Sequence, residues 1–138
     1  MTKLEVFAVA LIAILAAAAS ASATRAVASK ATASGTTVSV VAGKPTEFGF
    51  TLSKKSVPRG WVTFKITNQG KLRHEFKVCA SNKGGLANDC NPAALSPGIA
   101  PGASTTVKVD LKTPGTYEFL CGFRGHAAEG MKGRLKVT

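Results

Sequence analysis

The chain has 138 residues, of which 45% are hydrophobic, and it carries a formal net charge of +11 at pH 7. This length fits one domain, or one domain preceded by a targeting segment. The positive charge favours acidic partners or anionic surfaces. Nucleic-acid binding is disfavoured, because the cationic residues are spread over the chain without a basic helix or an aromatic-basic motif.

Residues 1–23 are predicted to form a signal peptide. Lys3 gives a positive start, residues 6–19 form an apolar run of 14 residues, and Ala21-Ser22-Ala23 offers small residues for cleavage. The run is shorter than the roughly 20 apolar residues of a membrane span. We therefore expect export to the periplasm or the outer cell surface, without stable membrane insertion after cleavage. An uncleaved anchor is the alternative, and residues 24–35 are predicted to be a flexible lead-in.

After the lead-in, residues 36–138 are predicted to form a single all-β domain. Short alternating segments are separated by Gly, Pro, Asn and Ser, a pattern typical of a β-sandwich. Residues at even spacing share one face of a strand. The predicted inward-facing sets are Val38-Val40-Ala42, Phe48-Phe50-Leu52, Val62-Phe64-Ile66 and Val107-Val109-Leu111. Trp61, Tyr117 and the phenylalanines are expected in the core, and the stretch 85–95 is expected to hold a turn or a short helix.

Three chemically distinctive residues lie at predicted strand ends and face inward. His74 has the parity of Phe76 and Val78, and Cys121 has the parity of Tyr117 and Phe119. Met131 has the parity of Leu135 and Val137. His126 lies in the loop between Cys121 and Met131, with four residues on either side of it.

These four residues match the ligand set expected of a single-copper electron-transfer site. Such a site uses one thiolate, two imidazoles and a weak axial thioether. Apart from the first 23 residues, the chain holds two His, one Met and one Cys without an obvious partner. Taken singly, each has an ordinary alternative: a satisfied core His, a packing Met, and a Cys that is buried or links a dimer. The joint pattern favours copper.

The stretch Tyr117 to Val137 resembles the C-terminal copper loop of the cupredoxins, the plastocyanin and azurin family. The stretch Asn68 to Phe76, with its N-x-G-x-x-x-H-x-F pattern, resembles the first-ligand region of the same family. The resemblance covers most of residues 36–138 and implies a Greek-key β-sandwich with one copper ion cycling between Cu²⁺ and Cu⁺. It also implies the ligands, which are His74, Cys121 and His126 as strong ligands and Met131 as the axial one.

The chain departs from the family pattern at several positions. The Cys-to-His spacing matches azurins and the His-to-Met spacing matches plastocyanins, so neither subfamily is assigned. Arg124 stands where many members have Pro, and is expected to add a backbone N–H near the sulfur. Glu75 stands where many members have Asn. Changes of this kind around the ligands tune a metal's potential.

Cys79 and Cys90 are predicted to form a disulfide. They flank a polar, Gly-rich loop, and Cys79 has outward parity, away from His74. Closing a loop of about a dozen residues contributes roughly 3 kcal/mol in the chain-entropy model. The alternative is that one of them is a second metal thiolate.

These features predict a one-electron carrier rather than an enzyme, because four protein ligands leave no open position for a substrate. The resemblance implies that electrons pass through the edge of His126. Residues around this port are small, aromatic or cationic: Gly122, Phe123, Arg124, Gly125, Ala127 and Ala128. Phe119 and Phe123 are expected to shield the copper from water. Expected partners are redox proteins with acidic docking surfaces, and the chain is expected to be a monomer. Copper transport or storage with the same ligands is the alternative.

Overall fold

A computed structural model describes residues 35–138, and the fold there is all-β. The predicted signal peptide and nearly all of the lead-in lie outside the described residues. The strands are β1 Thr36–Ala42, β2 Phe50–Leu52, β3 Ser56–Val57, β4 Gly60–Asn68, β5 Lys77–Cys79, β6 Pro92–Leu95, β7 Ser104–Leu111, β8 Gly115–Leu120 and β9 Lys132–Val137. Within this range no helix has the length and apolar character needed to cross a membrane.

The strands form two sheets, which confirms the predicted sandwich. The first sheet has the order β2-β1-β4-β7 and the second has the order β3-β9-β8-β5-β6. The β1–β4 and β3–β9 pairs are parallel, whereas the other pairs are antiparallel. Strands distant in sequence therefore lie side by side, as a Greek-key sandwich requires.

Alternating residues build the core between the sheets, as the sequence predicts. The inward sets of β1, β4 and β7 are buried, with Val38, Val62 and Phe64 at 0% exposure. The set Phe48-Phe50-Leu52 is only partly buried. The reason is its position, since β2 is a three-residue edge strand and Phe48 precedes it.

Two expectations are wrong. Trp61 is not a core residue but is 46% exposed, because it has the outward parity of β4, opposite to that of Val62. Its ring packs beneath a cation, with Lys108 Nζ 4.9 Å from the ring centroid. The stretch 85–95 holds no helix, and its end pairs with β5 as strand β6.

The β8–β9 hairpin brings two candidate ligands together at one end of the sandwich. β8 ends at Leu120 and β9 begins at Lys132, and these two residues are paired in register. Cys121 and Met131 are the next residues of the connection, so the antiparallel pairing places them opposite each other.

Candidate metal centre

Three of the four predicted ligands converge on one point. The donor atoms of His74, Cys121 and His126 all lie within 4.8 Å of one another. His74 Nδ1 and Cys121 Sγ each lie 3.3 Å from His126 Nδ1. His74 and Cys121 are buried, whereas His126 is partly exposed. The site therefore sits just below the surface, with one imidazole reaching it.

Main-chain hydrogen bonds close the loop that carries the other ligands. The N–H of Cys121 donates to the carbonyl of Met131 at 2.9 Å, and the N–H of Met131 donates to the carbonyl of His126 at 3.0 Å. Gly125 has φ +87°, a left-handed conformation that glycine adopts without steric cost. Met131 is fully buried. Main-chain hydrogen bonds thus fix the conformation of the loop from Cys121 to Met131.

A separate turn positions His74. The main chains of His74 and Ile99 each donate a hydrogen bond to the other, with N···O distances of 3.1 and 2.7 Å. The buried amide of Asn68 donates to the carbonyls of Leu72 and Ile99, and accepts from the N–H of Gly70. Asn68 therefore holds both sides of the turn, which explains its place in the N-x-G motif.

Glu47 belongs to the site, although no pattern in the sequence indicates it. Its Oε1 lies 2.9 Å from His74 Nε2, on the side of the ring away from the other donors. The same carboxylate accepts the backbone N–H groups of Lys71 and Leu72. These N–H groups, together with His74, lower the pKa of Glu47 to about 2. No motif surrounds Glu47, and only the folded loops bring it to His74.

The surroundings of the sulfur differ from the prediction. Its main-chain donors are the N–H groups of Glu75, at 3.3 Å, and Phe123, rather than that of Arg124. Burial nevertheless raises the pKa of the Cys121 thiol above its usual value. Burial lowers the pKa of His126, with a further contribution from the neighbouring His74. Both effects favour the neutral imidazole of His126, the form that binds metals.

Aromatic rings cover His126. Phe48 packs edge-on at 5.1 Å between ring centroids, and Phe123 lies tilted at 5.7 Å. Phe119 stacks instead on Phe76 within the core, at 5.5 Å. The rings next to the partly exposed His126 are therefore Phe123, as predicted, and Phe48, which no sequence pattern assigns to this place.

Cys79 and Cys90 form the predicted disulfide, with an S–S distance of 2.02 Å, which leaves Cys121 as the free, buried cysteine. Cys79 packs with Leu120 and Ala127 in a small apolar cluster. Ala127, predicted beside the electron port, is therefore only 3% exposed, whereas its neighbour Ala128 is exposed. The disulfide thus packs against the ligand loop at Ala127, in a cluster separate from the main core.

The donors fit a copper ion. Imidazole nitrogens bind metals at about 2.0 Å, so nitrogens 3.3 Å apart would subtend about 110° at a shared ion. That angle lies between tetrahedral and trigonal geometry. Two imidazoles and a thiol in this arrangement, with a buried Met131 joined to the same loop, form the set that blue-copper sites use.

Comparisons with known proteins point the same way. A family model described as a cupredoxin-like domain matches residues 6–135. Among solved structures, auracyanin from Roseiflexus castenholzii is 27% identical with a TM-score of 0.59, over 75% of this chain and 98% of that one. Rusticyanin from Thiobacillus ferrooxidans is 24% identical with a TM-score of 0.58, over 74% and 76%. An azurin from Methylomonas sp. strain J is 20% identical with a TM-score of 0.58, over 75% and 98%. No curated protein matches the chain.

Proposed function

The chain belongs to the cupredoxin-like family, and we propose that it is a one-electron carrier with one copper ion held by His74, Cys121, His126 and Met131. The observation that carries the proposal is the convergence of three donor atoms within 4.8 Å of one another at one end of a two-sheet sandwich. When bound, copper supplies the change of oxidation state. The residues supply its geometry.

The role of each ligand follows from its chemistry. The Cys121 thiolate and the Met131 thioether suit the soft, reduced ion, and the two imidazoles suit both oxidation states. Four protein ligands leave no position for a substrate, so we assign electron transfer rather than catalysis. Loop closure by main-chain hydrogen bonds restricts movement of Cys121 and Met131, and little movement of the ligands keeps transfer fast.

The proposed electron port is the partly exposed edge of His126. Phe48 and Phe123 pack against its ring and exclude water from the donors beneath. The exposed Arg124 and Ala128 lie in the same loop, where small and cationic groups suit docking of an acidic redox protein. We further propose export to the periplasm or outer cell surface by way of residues 1–23, and function as a monomer.

Spectroscopy of the copper-loaded protein tests the copper site. We expect an intense thiolate-to-copper band in the orange-red, lost in Cys121→Ser and retained in Met131→Leu, because only the first substitution removes the thiolate. Electron paramagnetic resonance of the same samples checks the oxidised ion. If copper binds without any thiolate band, the ligand assignment is wrong.

Kinetics and copper release then test the carrier role. Stopped-flow oxidation by ferricyanide should slow at least tenfold in Ala128→Trp, but not in Ala93→Trp, which is exposed on β6 outside the ligand loop. Equal rates in both variants would show that the port is misplaced. Rapid loss of copper to a chelator, with no reversible potential, would favour copper transport or storage instead.

A further inference from the structure

We propose that Glu47 is a positioning residue of the copper centre, which fixes His74 in its metal-binding tautomer and keeps a negative charge behind its ring. This inference rests on the proposed function for its effect on copper. Its effect on His74 can be measured in the protein without metal.

The tautomer follows from the contacts of the ring. His74 is fully buried, with Nδ1 turned toward His126 and Nε2 lying 2.9 Å from Glu47 Oε1. An ionised carboxylate only accepts hydrogen bonds, so the proton of a neutral His74 ring must sit on Nε2. This leaves the lone pair of Nδ1 free for the metal. Carboxylates bonded to the far nitrogen of a ligand histidine also fix the orientation of its ring.

The carboxylate is itself held in place. Lys71 N–H lies 3.0 and 2.9 Å from its two oxygens, and Leu72 N–H lies 2.9 Å from Oε1. The two N–H groups and His74 are therefore three donors that fix the Glu47 side chain in one orientation. A surface glutamate without such donors would sample many rotamers, and its effect on the ring would average out.

Two glycines allow this contact to form. A Cβ on Gly70 would overlap both Glu47 Oε1 and His74 Nε2, and a Cβ on Gly43 would overlap the backbone of Gly70. Gly43 also has φ +77°. The β1–β2 loop that carries Glu47 can therefore approach the turn before His74 backbone to backbone, which makes the contact a built feature of the fold.

The charge has a predictable effect on the metal. A carboxylate bonded to a ligand imidazole increases the electron donation of the ring and stabilises the more highly charged ion. Glu47 should therefore favour Cu²⁺ over Cu⁺ and lower the reduction potential. Removing its charge while keeping its shape, as in Glu47→Gln, should raise the potential.

The first test needs no copper. Nitrogen-15 NMR of the metal-free wild-type protein should show the His74 proton on Nε2 at neutral pH, and Glu47→Ala should give a mixture of tautomers. A wild-type proton on Nδ1, or an unchanged tautomer in Glu47→Ala, would overturn the inference. The wild-type measurement decides even if a variant fails to fold.

The second test uses the copper-loaded protein. Glu47→Gln should shift the Cu²⁺/Cu⁺ equilibrium at least tenfold toward Cu⁺, a rise of about 59 mV for one electron. The control is Glu129→Gln, which removes an exposed charge in the ligand loop and should shift the equilibrium less than about threefold. If the Cu²⁺/Cu⁺ equilibrium shifts equally in both variants while the thiolate band stays intact, the role of Glu47 is overturned but the proposed function is not. A wild-type protein without the band would refute the proposed function and leave the NMR test standing.

Discussion

The Cys79–Cys90 disulfide should contribute a large part of the stability of the domain. The perturbation is chemical reduction of the metal-free wild-type protein, compared with the double variant Cys79→Ala/Cys90→Ala. Reduction removes the cross-link and keeps both sulfur atoms, whereas the double variant removes both. Cys121 remains as the common free thiol in each sample.

The magnitude follows from the loop that the bond closes. The cysteines are 11 positions apart in sequence, and closing a loop of that size costs the unfolded chain about 9 cal/mol/K of entropy, or about 3 kcal/mol at 25 °C. The double variant should lose more, by about 1 kcal/mol, because Cys79 is 2% exposed and packs against Leu120 and Ala127.

Urea unfolding, followed by Trp61 fluorescence and by far-ultraviolet circular dichroism, measures both losses. Coincident transitions by the two probes are the condition for two-state free energies. If the oxidised and reduced proteins differ by less than about 0.5 kcal/mol, the entropy argument fails for this loop. If reduction and the double substitution cost the same, the packing argument fails.

Three further predictions concern the core, the thiol and the carboxylate. Phe64→Ala should lower the free energy of unfolding by about 3–5 kcal/mol, measured with urea, because its ring is fully buried. Trp61→Ala, on the opposite face of β4, should lower it by less than about 1 kcal/mol. Similar losses in the two variants would contradict the assignment of the two faces. Copper affinity, measured by chelator competition, should rise about tenfold per pH unit near neutrality. The raised pKa of Cys121 keeps its thiol protonated, so copper binding must release that proton. A copper affinity that does not change with pH would refute this prediction. The pKa of Glu47 is lowered from 4.5 to about 2, so its contribution to stability is present above pH 4.5 and is lost as the pH falls toward 2. Glu47→Gln should flatten the acid limb of the urea midpoint plotted against pH, and an unchanged limb would contradict the assignment.

The ligand positions were predictable because strand parity and spacing are local properties. His74 shares the parity of Phe76, and both are fully buried. Cys121 and Met131 lie next to the last residue pair of the β8–β9 hairpin, so the alternation along these two strands predicts that both face inward. Periodicity also places Trp61 outward on β4, and a core position predicted from the size of its apolar side chain is wrong for that reason.

The remaining features depend on contacts between loops, which periodicity does not encode. Glu47 meets His74 across 27 positions of sequence, through an approach of two turns that Gly43 and Gly70 permit. The N–H groups near the sulfur depend on the local path of the ligand loop, which directs Phe123 rather than Arg124 toward it. Such details are set by tertiary packing, and no residue pattern in the sequence marks them.

The main-chain bonds that close the ligand loop have a consequence for metal discrimination. The bonds that join Cys121, His126 and Met131 are main-chain hydrogen bonds, so they constrain the loop in a way that does not depend on which metal binds. Zinc favours the same sulfur and imidazole donors, and it would give a folded but redox-silent product. Copper(II) outranks zinc in the general order of affinities, so zinc would compete for the site only where it is supplied in excess of copper.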